Sequence, residues 1–244
     1  TATLYCAAGD EPLVDFAAPR EPLSAPPVHR AVGPMPHLRL GDLVGRRREL
    51  REVLRVLRDH PASVAERGRL SGVVLTGIGG VGKSSVAGRA MARLQEEGWA
   101  VAALAGRLAP NELCAAVGMA LRRHANPSVV RAGEQLGSTD RDDPYRLGLL
   151  GALLQQIPLL LVLDNFEDNF VDGGAAFLDE TVRQLLGLLA ERAQCGRLLI
   201  TCRYPIPGFE DEFHHQSVLP LSPAEVRKLL WRLESLKGLD RAEL

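Results

Sequence analysis

The amino-acid sequence predicts an α/β protein in which a parallel sheet of five strands carries helices on both faces. Three observations support this fold class. Five short runs are apolar throughout instead of alternating, helical patterns lie between most of them, and a glycine-rich turn joins the first run directly to a helix. The predicted strands are residues 69–76, 100–106, 159–164, 197–202 and 216–221, and three of the predicted helices are residues 111–124, 145–156 and 177–194.

The composition of the chain excludes several classes of function. The 244 residues have a formal net charge of -1, so no basic field predicts nucleic acid or an anionic membrane as the main partner. The longest apolar run, residues 159–163, is far shorter than the roughly 20 residues of a membrane helix. Four scattered cysteines without a CxxC pair indicate a reducing compartment. The sequence therefore predicts a soluble, cytoplasmic protein that binds neither nucleic acid nor membrane directly.

The first forty residues differ from the rest because they contain seven prolines. Proline lacks a backbone donor and is excluded from helix interiors, so residues 1–40 are predicted to be an extended linker or the tail of a preceding domain. Residues 41–244 form the predicted folded domain. The chain begins with Thr and stops within a helical pattern, and we expect it to be part of a longer protein.

Helical periodicity and capping residues place the remaining elements. An apolar stripe over residues 50–57 predicts a helix before the first strand, with arginines on its solvated faces. The polar segment 126–144 lacks periodicity and is predicted to be a loop. The last helix is predicted to begin at Ser222 as N-cap, with Glu225 as the reciprocal partner of a capping box.

The glycine-rich turn fits two known fingerprints. Gly77 to Gly82 reads as GxGxxG, the dinucleotide-binding turn, whereas extension through Lys83 and Ser84 reads as GxxxxGK[ST], the phosphate-binding P-loop. A dinucleotide fold needs an acidic residue at the end of its second strand, and residues 100–108 contain none. A protein-kinase glycine loop joins two strands, but this loop opens a helix. The P-loop therefore explains the turn best.

Each residue type in a P-loop has a chemical role. The glycines let the backbone wrap a β-phosphate with its amides pointing inward. Lys83 would place an ammonium on the β- and γ-phosphates, Ser84 would offer a hydroxyl to Mg²⁺, and the helix from Lys83 onward directs its positive end at the anion. The alternative is a plain glycine-rich turn. The candidate nucleotide-binding residues of the loop are Gly77, Gly79, Gly80, Val81, Gly82, Lys83, Ser84 and Ser85.

A P-loop also requires an acid that reaches Mg²⁺ from the end of a second buried strand. Asp164 ends the apolar run "LLLVLD" and meets this requirement. A strand-end aspartate that only caps the following turn is the alternative. The predicted metal ligands are therefore Ser84 and Asp164.

These two motifs and three further stretches follow one another in the order that the STAND class of signalling ATPases has. Together they resemble that class, and particularly its NB-ARC branch. "LTGIGGVGKSS" resembles the P-loop of the class, and "LVGRRREL" resembles the hhGRxxE segment that precedes it. "LLLVLDNFE" resembles the Walker B strand, and "GRLLITCR" resembles the strand that ends in a sensor arginine. "LPLSPAEVRKLL" resembles the last strand and the following helix, so that the resemblance covers roughly residues 42–236.

The resemblance implies the strand order 5-1-4-3-2 and a bound adenine nucleotide, ATP or ADP, with Mg²⁺. It places Val44, Gly45 and Arg46 beside the adenine and the sensor Arg203 near the γ-phosphate. A solvated cation is the alternative for either arginine. The resemblance also implies a switch, in which exchange of ADP for ATP drives self-association and activates an attached effector domain, and hydrolysis resets it.

Two features depart from the family pattern. Many members have a second acid directly after the Walker B aspartate, but this chain has Asn165. An amide can orient water but cannot take its proton, so either Glu167 helps or hydrolysis is slow. The candidate catalytic residues of a slow ATPase are thus Asp164, Asn165, Glu167 and Arg203. Because no counterpart of the family's helical and winged-helix domains is found before Leu244, a full switching cycle would require further parts.

Other interpretations stay open beside the switch. The first fifteen residues resemble the closing strand of a caspase-like CHAT module, which precedes the ATPase in some such proteins. Asn165 motivates a nucleotide-held scaffold that does not turn over. A GTPase is disfavoured because the chain has no NKxD motif, and a small-molecule kinase is neither indicated nor excluded.

Overall fold

The computed structural model describes residue 35 and residues 43–174 and 176–231. The arm predicted for residues 1–40 lies outside these residues except for Met35, and so does the segment that resembles a CHAT module. The last residues of the predicted domain, 232–244, also lie outside them. Met35 is buried in the same core cluster as Val53 and Leu57, so one residue of the predicted arm packs against the domain.

Helices and strands alternate along most of the described chain. The strands are β1 (Gly72–Thr76), β2 (Ala100–Ala105), β3 (Leu159–Asp164), β4 (Arg197–Cys202) and β5 (Phe213–Ser217). The helices are α1 (Arg47–Leu57), α2 (Pro61–Arg67), α3 (Lys83–Glu96), α4 (Pro110–Leu121), α5 (Pro127–Gly137), α6 (Asp143–Gln156), α7 (Glu180–Arg192) and α8 (Pro223–Leu230). None of these helices, within the described part of the chain, is long and apolar enough to cross a membrane.

The five strands form one parallel sheet in the order β2-β3-β4-β1-β5. This is the predicted order 5-1-4-3-2 viewed from the other edge, so the predicted fold class is confirmed. Every residue of β1, β3 and β4 is buried, which explains why these segments are apolar throughout. Because all strands run in the same direction, the ends of β1, β3 and β4, at Thr76, Asp164 and Cys202, lie at one edge of the sheet.

Two separate hydrophobic cores cover the two faces of the sheet. One core joins α1 and α3 to the sheet and contains Val53, Val86 and Leu160. The other joins α4, α5, α6 and α7 to the opposite face and contains Leu113 and Leu150. The prediction of helices on both faces is therefore confirmed.

The prediction of a loop over residues 126–144 is wrong, because α5 occupies much of this segment. Asn126 caps the helix by accepting a hydrogen bond from the Ser128 amide at 2.9 Å. The helix packs closely on α4 through glycine: a Cβ atom added to Gly133 would lie 2.8 Å from the Cβ of Leu121. An interface built on glycine leaves no periodic apolar signal in the sequence, since the contact is made by the backbone.

The last strand begins three residues earlier and ends four residues earlier than the predicted range of 216–221. It pairs with β1 from Gly72 opposite Phe213 to Thr76 opposite Ser217, and β1 ends there because the glycine loop follows. The Val218 amide still donates to the Thr76 carbonyl at 2.8 Å, but Pro220 has no amide to continue the ladder. The partner strand therefore sets the bounds of β5.

The last helix begins as predicted. The Glu225 amide donates to Ser222 Oγ at 3.3 Å, and the Ser222 amide donates to Glu225 Oε2 at 2.9 Å. These two bonds are the reciprocal pair of a capping box. No residue of α8 itself is buried, so this helix rests on the domain mainly through its first turn.

Candidate nucleotide-binding site

The predicted P-loop, residues 77–82, connects the end of β1 to the start of α3. Gly77 and Gly82 have φ angles of 144° and 101°, in a region that side-chain-bearing residues rarely adopt. A Cβ atom on Gly77 would also lie 2.6 Å from the carbonyl oxygen of Val218. Between them, Gly79 and Gly80 lie exposed at the crest of the loop. Gly77 and Gly82 are thus required by the shape of this turn.

Lys83 is the first residue of α3, and its ammonium group folds back onto the loop. Nζ donates hydrogen bonds to the carbonyl oxygens of Gly77 at 2.7 Å and Ile78 at 3.1 Å. The N-cap Gly82 has no side chain to cap the helix, and the first turn of α3 contains no acidic residue. The free helix N-terminus and the ammonium group therefore face the same loop, an arrangement that favours an anion.

Ser84 and Asp164 bring two oxygen ligands together beside the loop. Ser84 Oγ donates to Asp164 Oδ1 at 2.8 Å, and Asp164 is only 8% exposed. Hydroxyl and carboxylate oxygens fit Mg²⁺, which is commonly bound by one or two such ligands plus phosphates and water. No group of three or more His, Cys, Asp or Glu side chains in the described residues could hold a metal. Phosphate and water oxygens would therefore have to complete the coordination.

Thr201 is a third member of this cluster, and the sequence interpretation missed it. Its buried hydroxyl donates to Asp164 Oδ1 at 2.5 Å and accepts from the Asn165 amide at 3.1 Å. The available signal was a polar residue near the end of an otherwise apolar strand, next to the strand that carries the acid. Thr201 thereby fixes the direction of the Asp164 carboxylate.

Glu167, which follows β3, and Arg203, which follows β4, bring a carboxylate and a guanidinium group together. Glu167 lies in a short 3-10 turn, Phe166–Asn169, that follows Asn165. Glu167 Oε1 accepts a hydrogen bond from Arg203 Nε at 3.0 Å, while Oε2 is buried and has no hydrogen-bond partner within the described residues. Asn165 is exposed and has a left-handed backbone with φ 54°. Glu167 and Arg203 therefore form a pair, which Asn165 does not join.

The segment before α1 supports the loop from its other side. Arg46 is only 5% exposed, and its guanidinium donates to the Val81 carbonyl at 2.7 Å and to Glu49 Oε1 at 2.9 Å. A Cβ atom on Gly45 would lie 2.8 Å from the Glu225 carboxyl group, so this segment also contacts the start of α8. Arg46 thus links the P-loop to α1.

The predicted site also includes Val44 and Ser85. Val44 is buried and Ser85 is half-buried in the first turn of α3. The assignment of Val44, Gly45 and Arg46 to the adenine stays a prediction.

Cys202 ends β4 beside the same cluster. Burial raises the pKa of its thiol to about 11; the negative charge of Glu167 acts in the same direction, and the positive charge of Lys83 opposes it. The thiol is therefore neutral at physiological pH. A neutral, buried thiol is a poor nucleophile.

Comparison with known proteins identifies a matching family and two similar structures. The AAA ATPase domain family matches residues 42–201, more than half of the 244-residue chain. The chain is similar to the crystal structure of a STAND protein with a tetratricopeptide repeat sensor from Pyrococcus horikoshii, with a TM-score of 0.52, 22% identity, and coverage of 86% of this chain and 28% of that chain. It is also similar to a chain in the HORMA:CdnC:Trip13 complex of E. coli MS115-1, with a TM-score of 0.51, 14% identity, and coverage of 83% and 72%. No curated protein matches it in sequence.

The structural similarities concern the fold, because the sequence identities are low, and the chain spans 28% of the length of the STAND protein. The family match is a sequence match and contains the P-loop, Lys83, Asp164 and Thr201. The chain therefore belongs to the AAA ATPase domain family.

Proposed function

We propose that this domain is the ATP/ADP-binding core of a STAND-class switch of the NB-ARC type. The observation that carries the proposal is the meeting of Lys83, Ser84 and Asp164 beside a free helix N-terminus. The family match and the likeness to a STAND protein support the class. The sequence motifs that resemble the NB-ARC branch support the branch.

Binding would begin with exchange of hydrogen-bond partners at the P-loop. The Lys83 ammonium, which donates to two loop carbonyls, would turn its donors to phosphate oxygens, while the loop amides and the start of α3 hold the β-phosphate. Ser84 and Asp164 would hold Mg²⁺, which when bound neutralises charge on the phosphate oxygens. Thr201 would keep Asp164 oriented toward that position through its hydrogen bond.

We take Glu167 as the proton acceptor during hydrolysis. Water would attack the γ-phosphorus as the bond to the bridging oxygen of ADP breaks, and the proton of the water would pass to the Glu167 carboxylate. The products are ADP and inorganic phosphate. The pairing of this carboxylate with Arg203, whose guanidinium lies against the P-loop, supports the role, whereas the Asn165 amide can orient the water but not take its proton. The alternative, a scaffold without turnover, follows if Glu167 does not act.

The switch itself would use parts beyond this domain. The start of α8 contacts Gly45, which adjoins the Arg46 that braces the P-loop, so nucleotide-dependent movement of the loop would reach the segment that continues along the chain. The proposal also includes that the protein self-associates in the cytoplasm and that it controls an attached effector domain. These steps would require domains other than this one.

The experiment that tests the function is nucleotide binding by titration calorimetry with ADP, ATP and GTP, with and without Mg²⁺. We expect adenine nucleotides to bind and Lys83→Ala to weaken binding by one to two orders of magnitude, since charge-assisted hydrogen bonds worth about 1.5–3 kcal/mol are lost. Lys228→Ala, which removes an exposed lysine from α8, is the matched control and should bind normally. Unchanged affinity of Lys83→Ala would refute the site, and a preference for GTP would refute the assignment to an ATP/ADP switch.

A further inference from the structure

Glu167 and Arg203 form an ion pair beside the P-loop. The Glu167 side chain is 14% exposed and that of Arg203 is 56% exposed, so a largely buried carboxylate holds a solvated guanidinium. Among the described residues, Glu167 is the only carboxylate that forms an ion pair with Arg203. The position of the guanidinium therefore depends on Glu167.

That position lies over the P-loop. A Cβ atom on Gly79 would lie 3.8 Å from a terminal nitrogen of Arg203, which puts the guanidinium against the exposed crest of the loop. A P-loop wraps the β-phosphate, so the γ-phosphate of ATP would enter the space that the crest borders. Arg203 would then have two competing anions, the Glu167 carboxylate and the γ-phosphate. When ADP is bound, the Glu167 carboxylate is the only one of these two anions that is present.

We propose that Glu167 is the residue that sets the discrimination between ATP and ADP, acting as a positioning residue for Arg203. This inference rests on the proposed function. ADP leaves the guanidinium on Glu167, whereas ATP must draw it away before the γ-phosphate gains its full contact. A ligand shifts an equilibrium only by the difference in its affinity for the two states, so the Glu167 pair lowers the preference for ATP by the free energy of breaking it. The same release would free the Glu167 carboxylate, the proposed proton acceptor, from its ion pair only when a triphosphate is bound.

The test is a double-mutant cycle in which nucleotide affinity is measured instead of the rate of hydrolysis. Affinities for Mg-ADP and for the non-hydrolysable analogue adenylyl imidodiphosphate are measured for the full chain and for Glu167→Gln, Arg203→Ala and the double variant. Glu167→Gln should raise the preference for the analogue over ADP about three- to fivefold, the size expected for a partly exposed ion pair. Arg203→Ala should lower that preference, and in its background Glu167→Gln should have no further effect.

Asp168→Asn is the matched control, because it removes an exposed carboxylate from the same 3-10 turn and changes the net charge equally. It should leave the preference unchanged. If Glu167→Gln does not fold, as judged by its thermal transition, Glu167→Ala replaces it in the same cycle.

Three results would overturn the inference while the proposed function stands: an unchanged preference in Glu167→Gln, an equal gain in Asp168→Asn, or a gain that persists without Arg203. The last would mean that Glu167 repels the γ-phosphate directly. Failure of the wild-type chain to bind either nucleotide would overturn the proposed function and this inference together.

Discussion

At the end of β4, one hydroxyl group organises the acid of the candidate metal site. Thr201 Oγ1 donates to Asp164 and accepts from the Asn165 amide, and Thr201 is fully buried. Ser84 donates to the same carboxylate oxygen. Two donors on one oxygen hold the carboxylate in a single direction, which is what a metal ligand requires.

Thr201→Val should separate this role from simple packing, since valine has nearly the same shape and lacks the hydroxyl. We expect the free energy of unfolding to fall by about 1–3 kcal/mol, because the Asn165 amide and the buried Asp164 carboxylate each lose a partner. The factor by which Mg²⁺ strengthens ADP binding should fall as well. Thermal unfolding and titration calorimetry with and without Mg²⁺ measure the two effects.

Thr76→Val is the matched control, because Thr76 ends β1 and its hydroxyl contacts Ser217 at 3.3 Å instead of Asp164. It should leave the Mg²⁺ enhancement intact. An enhancement that is also intact in Thr201→Val would show that Asp164 needs no support from β4.

At the scale of elements, the pairing of α4 with α5 depends on backbone contact. The Cβ of an alanine at 118 would lie 2.6 Å from the Gly133 carbonyl oxygen, and one at 133 would lie 2.8 Å from Leu121 Cβ. Neither helix can move away without exposing Val129 and Leu136, which belong to the core. The contact therefore fixes the distance between the two helices.

Gly133→Ala is expected to lower the free energy of unfolding by about 1–3 kcal/mol through overpacking, even though alanine is the better helix former. Gly148→Ala is the matched control within α6, where an added Cβ meets nothing within 4 Å. It should raise the free energy of unfolding by about 0.5–1 kcal/mol. Urea denaturation distinguishes the two, and stabilisation by both substitutions would contradict the close approach of α4 and α5.

At the scale of the whole molecule, the two ends of the sheet differ in role: one carries the candidate site and the other a structural ion pair. The site occupies the end where the strands finish, and a buried ion pair occupies the other. Arg197, the first residue of β4, is 1% exposed; it contacts Asp59 after α1 and donates to the Gly196 carbonyl at 2.6 Å. Arg69 also pairs with Asp59 at 3.2 Å. This cluster joins the helical N-terminal segment to the sheet.

Arg197→Met should therefore affect stability without affecting the site. The substitution leaves Asp59 with Arg69 as its partner but removes the donor to the buried Gly196 carbonyl, which is expected to cost about 1–3 kcal/mol of the free energy of unfolding. ADP affinity of the folded protein should change by less than about twofold, because sites that share no partners behave almost independently. Chemical denaturation and calorimetry below the transition give both numbers.

The exposed pair of Arg183 and Glu180 on α7 supplies the control, and Arg183→Met should change stability little. A large loss of ADP affinity in Arg197→Met would mean that the two ends of the sheet are coupled.

The sequence predicted the parts of the fold and site that have a local signature. Apolar runs located four of the five strands closely, and the glycine spacing identified the loop that Lys83 and Ser84 complete. It did not predict α5, whose close contact with α4 is glycine on backbone. It also placed β5 too late, because the register with β1 sets where that strand ends.

The P-loop and the alternation of strands and helices could be predicted from the order of residues alone, because phosphate-binding loops and buried strands are specified by residues that are neighbours in the sequence. The pairs that complete the site did not: Thr201 lies 37 residues from Asp164, and Arg203 lies 36 residues from Glu167. Only the parallel register of β3 beside β4 brings these side chains together. Contacts across such separations are decided by which strands become neighbours, and that choice is made by packing the two cores on both faces of the sheet.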